Sequence, residues 1–193
     1  MGTEYELKFK ANPEALYSVH TTFPARWQTV QMETAYYDTP DHSLSARRWT
    51  LRRRMENEVS VCTLKTPGVG HGCGEFEVLC EEILEAVPLL LAQGAPAELE
   101  AMVRGGIHPS CGARFTRLAG LLEIPGGKAE LALDRGVLLG GGKELPLCEM
   151  ELELKSGDQE ALMLYARVLA SRFHLTPERK SKFVRAMELA QGL

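Results

Sequence analysis

Charged residues spaced two apart recur along this sequence, beginning with the pentapeptide EYELK at residues 4–8. On a β-strand, side chains two apart share one face, so Glu4, Glu6 and Lys8 would stand in a row with apolar residues opposite. Paired carboxylates offer the oxygen ligands that Mg²⁺ and Mn²⁺ prefer. The same spacing is also compatible with the solvated face of an ordinary antiparallel sheet.

The alternation returns in later segments, with carboxylates in some and basic residues in others. The acidic positions are Glu75 and Glu77, Glu130 and Asp134, and Glu149, Glu151 and Glu153. The basic positions are Arg52 and Arg54, which share a face, and Lys65. A solvated face is the simpler interpretation for one strand alone. Many such strands with few helices to cover them favour a barrel with a polar interior.

An interior lined by both signs of charge restricts the ligand that it can hold, because buried charges must be paired or bound. Carboxylates suit a hard divalent cation. Arginines suit phosphate oxygens, since the guanidinium group donates two parallel hydrogen bonds. A metal ion and basic residues around one cavity therefore predict a polyphosphate site.

Composition is consistent with a globular protein that acts on a small ligand. The 193 residues are 45% hydrophobic and 25% charged, and the net charge of −4 gives no general attraction to nucleic acid or to an anionic membrane. No apolar run approaches the roughly 20 residues of a membrane-spanning helix, and the N-terminus lacks a signal-peptide core. Five cysteines without CxxC spacing predict free thiols. We expect one domain, residues 1–193, in the cytoplasm.

The elements that must position the charged residues are mostly strands, joined by connectors rich in Gly and Pro such as TPGVGHGCG and LGGGKELP. The pattern predicts a closed or nearly closed antiparallel barrel. Three helices carry start signals: Asn12 before Pro13, Asp158, and Thr176 before Pro177. One or two short helices are expected within residues 81–110.

In their order along the chain, these segments resemble the CYTH superfamily, also called the triphosphate tunnel metalloenzymes. EYELK matches the family's ExExK signature, and YYDTPDHSL, LRRR, TLK, GEFEV, LALD, CEMELEL and SKFVRA follow at family-like spacing over nearly the whole chain. The resemblance is strongest to the CYTH region of bacterial inorganic triphosphatases. It implies an α+β fold in which a closed eight-stranded antiparallel barrel forms a triphosphate tunnel with flanking helices.

The resemblance also implies roles for individual residues. The implied metal ligands, for two ions of Mg²⁺ or Mn²⁺, are Glu4, Glu6, Asp134, Glu149 and Glu151. The implied triphosphate-binding residues are Lys8, Arg52, Arg54, Lys65, Arg117 and Lys182. Glu4, Glu6 and Lys8 form the catalytic signature, and Glu75 and Glu77 match an ExE pair that contacts metal or substrate.

Two positions depart from the family pattern. The family often carries a basic residue just before the middle ExE pair and another two residues after Arg117, where this chain has Gly74 and Ala119. Arg114 is no substitute, because its odd offset from Arg117 places it on the opposite face of a strand. We therefore expect weaker binding of the longest polyphosphates.

The expected activity is metal-dependent hydrolysis of the terminal phosphate of inorganic triphosphate. Two alternatives within the family act on organic triphosphates, thiamine triphosphatase and class IV adenylate cyclase. A third alternative is a polyphosphate-binding module without turnover. None of these functions requires nucleic acid or a membrane as a partner.

Overall fold

The computed structural model describes residues 5–67 and 73–193, and most of its strands form long antiparallel hairpins in one sheet. In chain order the described strands are β1 Glu6–Lys10, β2 Gln28–Asp38, β3 Thr50–Glu56, β4 Val59–Pro67, β5 Cys73–Leu79, β6 His108–Ile124, β7 Gly127–Gly140, β8 Lys143–Gly157 and β9 Thr176–Pro177. The helices are α1 Pro13–Thr22, α2 Ser43–Ala46, α3 Ile83–Ala92, α4 Glu98–Val103, α5 Gln159–Arg172 and α6 Lys182–Gln191. The predicted connector at residues 66–74 lies partly outside the described ranges.

The prediction of a closed eight-stranded barrel is wrong in both number and closure. The described residues form nine strands in the order β5-β4-β3-β2-β6-β7-β8-β1-β9, and within them no ladder joins β5 to β1 or β9. The outer edge of β1 is occupied instead by β9, where Phe9 pairs with Pro177 and Lys10 with Thr176. The sheet is therefore open, although it curves enough to enclose a cavity.

The same residues explain a second error, the predicted helix start at Thr176. Proline is tolerated at an edge strand as well as at the first turn of a helix. Here the backbone N–H of Glu178 donates to the carbonyl oxygen of Lys8 at 2.8 Å, which continues the extended pairing beyond β9. The helix α6 begins only at Lys182, and the side chain of Ser181 accepts from the N–H of Val184 at 3.2 Å.

The other helix signals are confirmed. Asn12 caps α1 by accepting from the N–H of Ala15 at 2.8 Å, with Pro13 as the first helical residue. Asp158 caps α5 and accepts from the N–H of Glu160 at 3.1 Å. The helices α3 and α4 occupy the stretch where short helices were expected.

Apolar side chains on the convex face of the sheet pack against two separate groups of helices. One core joins β1, β7 and β8 to α1 and α5 through residues such as Met150 and Leu162. A second core joins β3, β4 and β5 to α2, α3 and α4 through residues such as Leu64 and Leu90. The charged faces of the strands therefore point to the concave side.

Helix α6 packs on the concave side, against β6, β7 and β8. Its approach depends on Gly140, because a Cβ there would lie 2.4 Å from the carbonyl oxygen of Ala186 and 2.7 Å from the backbone nitrogen of Ala190. This close contact brings the first turn of α6 to the charged face of the sheet. None of the helices in the described part of the chain is long and apolar enough to span a membrane.

Candidate functional site: a cavity between an acidic and a basic wall

A cavity of about 700 Å³ lies on the concave side of the sheet. We define its basic wall as Arg52, Arg54 and Lys65, on β3 and β4. Its acidic wall is made of Glu6, Asp134, Glu149 and Glu151, on β1, β7 and β8. All three basic-wall residues line the cavity together with Glu6 and Glu151, while Asp134 and Glu149 lie close to Glu151 and are fully buried.

Strand register brings together the carboxylate cluster, defined as Asp134, Glu149 and Glu151. Asp134 and Glu149 are directly opposite on the β7–β8 ladder, and Glu151 is two residues further on the same face. One carboxylate oxygen from each residue lies within 4.8 Å of the others. Three converging carboxylates match the oxygen donors that a hard divalent cation takes, so these residues fit Mg²⁺ or Mn²⁺.

Three cations contact the carboxylate cluster. Arg117 on β6 donates from Nε and Nη2 to the two oxygens of Asp134, at 2.7 Å each, and also contacts Glu151. The Nζ of Lys182 lies 2.9 Å from Asp134 Oδ2 and 2.5 Å from one oxygen each of Glu149 and Glu151. Arg185, one turn further along α6, contacts Glu149. Each carboxylate of the cluster therefore contacts two cations.

These contacts shift the pKa values of the cluster in different directions. Burial would raise the pKa of Glu151, but the charges of Lys182 and Arg117 hold that pKa well below its usual value. Burial raises the pKa of Glu149 despite the opposing charge of Lys182. Burial would lower the pKa values of Lys182 and Arg117, but the surrounding carboxylates raise both. Glu151 is therefore ionised at neutral pH, whereas Glu149 holds its proton to a higher pH than an ordinary glutamate.

Glu6 differs from the carboxylate cluster. Burial, together with the charge of Glu151, raises the pKa of Glu6 to about 7. Its ion-pair partner in the described structure, Lys8, lies 4.0 Å away. Glu6 therefore changes its charge near neutral pH. The other carboxylates of the acidic wall differ from it in having closer contacts with cations.

The cations of the basic wall contact carboxylates on β3 and β5. Arg52 Nη2 and Lys65 Nζ both approach Oε1 of Glu75, at 3.6 and 3.2 Å, and Arg54 contacts Glu56. Among the described residues, the buried Nε atoms of Arg52 and Arg54 have no hydrogen-bond partner. Because both arginines line the cavity, an anion bound there lies near their guanidinium groups.

Nearly all of the residues assigned from sequence lie around this cavity. Glu6, Lys8, Glu75, Glu77, Arg117 and Lys182 line it along with the basic wall and Glu151. Glu4 lies outside the described residues. Tyr36 lines the cavity while Tyr37 packs into the core on the convex side, as the alternation of a strand requires.

Two further charged residues at the site were missed by the sequence reasoning. Arg185 contacts Glu149, and the buried Glu178 contacts Lys10 at 3.3 Å and Arg185 at 3.7 Å. Lys182 and Arg185 are three residues apart in SKFVRA, a spacing that places both on one face of a helix. Since the helix was expected to begin at Thr176, that signal was available but was not used.

Comparison with known proteins places this cavity in a recognised family. An inorganic triphosphatase from Haemophilus influenzae is 30% identical over 146 residues, which are 74% of this chain and 41% of that protein. The chain thus spans less than half the length of this relative.

Solved structures share the fold. The PH1819 protein from Pyrococcus horikoshii aligns over 97% of this chain and 99% of its own, with a TM-score of 0.64 and 24% identity. HpAC1 from Hippeastrum, described as having a dominant triphosphatase activity, aligns over 100% of this chain and 96% of its own, with a TM-score of 0.67 and 18% identity. Residues 2–187 match the CYTH domain, and the chain belongs to the CYTH family.

Proposed function

We propose that the cavity binds a linear inorganic triphosphate and that the protein hydrolyses its terminal phosphoanhydride bond with Mg²⁺ or Mn²⁺. The observation that carries this proposal is the opposition of an acidic and a basic wall across one cavity of about 700 Å³. The 30% identity to a protein named inorganic triphosphatase supports the choice of substrate.

Phosphoryl transfer depends on positioning and on stabilisation of charge more than on covalent chemistry. The basic wall would supply the positioning, because Arg52 and Arg54 line the cavity and each approaches only one carboxylate. Lys8 and Lys182 line the same cavity and add positive charge from the acidic side. The carboxylate cluster and Glu6 would hold divalent metal, which when bound neutralises phosphate oxygens and activates water.

The test is phosphate release by the full chain from inorganic triphosphate, ATP and thiamine triphosphate at equal concentrations. We expect turnover with Mg²⁺ or Mn²⁺, none in EDTA, and a preference for inorganic triphosphate of at least about tenfold in kcat/KM, equivalent to about 1.4 kcal/mol. A preference for ATP or thiamine triphosphate would instead assign the protein to an organic substrate.

A second candidate, a polyphosphate-binding module without turnover, is favoured by one observation. The carboxylate cluster contacts Arg117, Lys182 and Arg185, so its acidic residues have partners within the protein. Carboxylates that serve only to anchor these cations need no metal. Tight binding of triphosphate in EDTA, with no phosphate release on addition of either metal, would support this candidate over the hydrolase.

A further inference from the structure

Lys182 occupies the point at which the three carboxylates of the cluster converge. Its Nζ lies 2.5–2.9 Å from Asp134 Oδ2, Glu149 Oε1 and Glu151 Oε1. The ammonium group donates hydrogen bonds to Glu149 and Glu151 and forms an ion pair with Asp134. The side chain is only 11% exposed, so little water screens these contacts.

A divalent ion bound by the cluster needs these oxygens. Mg²⁺ binds oxygen ligands at about 2.0–2.1 Å, which is shorter than any of the Lys182 contacts. An ion at that distance from the three oxygens would occupy the position of the ammonium group, and two cations so close together also repel each other. Lys182 and a metal ion are therefore alternatives at this position.

Of the three cations at the cluster, Lys182 is the one with a flexible ammonium side chain, and like Arg117 it has no ion-pair partner outside the cluster in the described structure. Arg117 forms two hydrogen bonds with Asp134 and stays on a central strand, while Arg185 is also held near Glu178. The ion-pair partners of Lys182 in the described structure all belong to the cluster. It begins α6, and its four-carbon side chain lines the cavity, with Nζ 5.3 Å from the ring centroid of Phe115. The side chain thus has a route into the cavity.

We propose that Lys182 is an internal counter-ion that competes with the divalent metal ion for Asp134, Glu149 and Glu151, and that its displacement delivers the ammonium group to the bound phosphate. The inference rests on the proposed metal site at this cluster. It couples two events at one residue, because metal binding makes Lys182 available to the anion and anion binding holds Lys182 away from the cluster. Metal and triphosphate must then strengthen each other's binding by the same factor.

The first test is calorimetric titration of Mn²⁺ into the full chain without triphosphate, for the unaltered protein and for Lys182→Met. Methionine keeps the length of the side chain and removes its charge. We expect Mn²⁺ to bind the variant at least about tenfold more tightly, since the competing cation is gone. The matched control is Lys180→Met, two residues earlier, because Lys180 is 55% exposed and contacts Glu188 away from the cluster. The control should bind Mn²⁺ with unchanged affinity.

The outcomes separate this inference from the proposed function. Mn²⁺ binding to the unaltered chain with equal or weaker binding to Lys182→Met would overturn the competition and leave the metal site standing. An absence of binding to both proteins would overturn the competition and the metal site together.

A second test needs no variant and so does not depend on how Lys182→Met folds. Reductive methylation of the unaltered chain, followed by mass spectrometry of its peptides, measures the accessibility of each lysine. We expect the methylation rate of Lys182 to be at least about fivefold higher in Mn²⁺ than in EDTA, the lower end of the usual range for coupling between two sites. The methylation rate of Lys180 should be the same in both conditions. Equal reactivity of Lys182 in the two conditions, at Mn²⁺ concentrations that saturate the site, would overturn the inference.

Discussion

The two walls of the cavity hold their charges in different ways. On the acidic wall, Asp134 and Glu149 are fully buried, and each carboxylate of the cluster contacts two cations. On the basic wall, Arg52 and Lys65 approach the same carboxylate, Glu75, and two buried arginine Nε atoms lack a partner. The carboxylate cluster of the acidic wall is thus paired several times over within the protein, whereas Arg52 and Arg54 on the basic wall each approach a single carboxylate.

Because of this difference, we expect the two walls to contribute differently to the stability of the fold and to the affinity for a ligand. Removing one member of a buried and fully paired network leaves its partner charged and uncompensated, which destabilises the fold. Removing Arg52 leaves Glu75 with the contact from Lys65, so little is left unpaired in the absence of a ligand. Changes on the acidic wall should therefore reduce stability first, and changes on the basic wall should reduce affinity first.

The largest effect is expected for Arg117→Ala, which removes the bidentate partner of buried Asp134. We expect the free energy of unfolding to fall by about 3 kcal/mol, the lower end for breaking a buried ion pair, because Lys182 still contacts Asp134. Denaturation by urea, monitored by circular dichroism, measures this change. Arg114→Ala is the control on the same strand, since Arg114 faces outward, is 61% exposed and should cost less than about 1 kcal/mol. Equal losses in the two variants would remove the distinction between the walls.

The basic wall should respond in the opposite manner. Arg52→Ala is expected to change the free energy of unfolding by less than about 1 kcal/mol, yet to weaken triphosphate binding by about ten- to a hundredfold through loss of a charge-assisted contact. Calorimetry with inorganic triphosphate measures the affinity. The control is Arg53→Ala, because Arg53 points to the other face and donates to the carbonyl oxygen of Glu81 at 3.0 Å. An Arg52→Ala protein that binds triphosphate normally would contradict the role of the basic wall.

Much of this site was predictable from sequence because strand alternation is a local rule. EYELK, LRRR, GEFEV and CEMELEL each assign a face to every residue, and those faces meet once the strands pair in one curved sheet. The ion pairs were not predictable, because they depend on the strand register and on where α6 packs, as for Arg117 with Asp134 and Lys182 with Glu149. Nothing in SKFVRA alone indicates that Lys182 lies among Asp134, Glu149 and Glu151.

The sequence predicted most of the strands correctly, but it did not predict which strand lies at the edge of the sheet beside β1. Long hairpins such as β6–β7–β8 follow from alternation and from glycine turns. Gly141 and Gly142, for example, both adopt positive φ between β7 and β8. The Thr176–Pro177 pair carries a signal for a helix start that an edge strand also satisfies. Only the tertiary contact with β1 decides between them, so both the ninth strand and the true start of α6 were missed.

Glu6 differs from the rest of the acidic wall, because its ion-pair partner in the described structure, Lys8, lies 4.0 Å away. Its pKa of about 7 in the folded protein exceeds the ordinary carboxyl value of 4.5, so the folded state keeps a proton that the unfolded chain releases. Stability in EDTA should therefore fall as the pH rises from about 4.5 to about 7. The variant Glu6→Gln should be more stable than the unaltered protein by about 1–2 kcal/mol near pH 8, after allowance for the partial exposure of Glu6.

Urea denaturation at about pH 5 and about pH 8, in EDTA, measures this difference. The gain from Glu6→Gln should be present at the higher pH and nearly absent at the lower one. A gain of the same size at both values would show that the substitution acts through packing rather than through charge.

The smallest effect concerns the two positions at which this chain lacks a basic residue of its family. Gly74 cannot simply be replaced, because a Cβ there would lie 2.7 Å from Oγ1 of the buried Thr66. Ala119 lines the cavity on β6, two residues from Arg117, and can carry a longer side chain into it. Ala119→Lys should therefore strengthen binding of tetraphosphate by about threefold, as for one partly screened charge contact, and affect triphosphate less.

Calorimetry with the two polyphosphates at low and high salt tests this substitution, and Ala119→Met is the control of similar length without charge. A gain that is shared by Ala119→Met, or that survives high salt, would indicate packing. A salt-sensitive gain confined to Ala119→Lys and to the longer chain would indicate that the missing charge limits the length of polyphosphate that the cavity binds. Since the carboxylates near Arg117 are already paired, the added lysine would have its charge available to the polyphosphate, as we expect of the arginines of the basic wall.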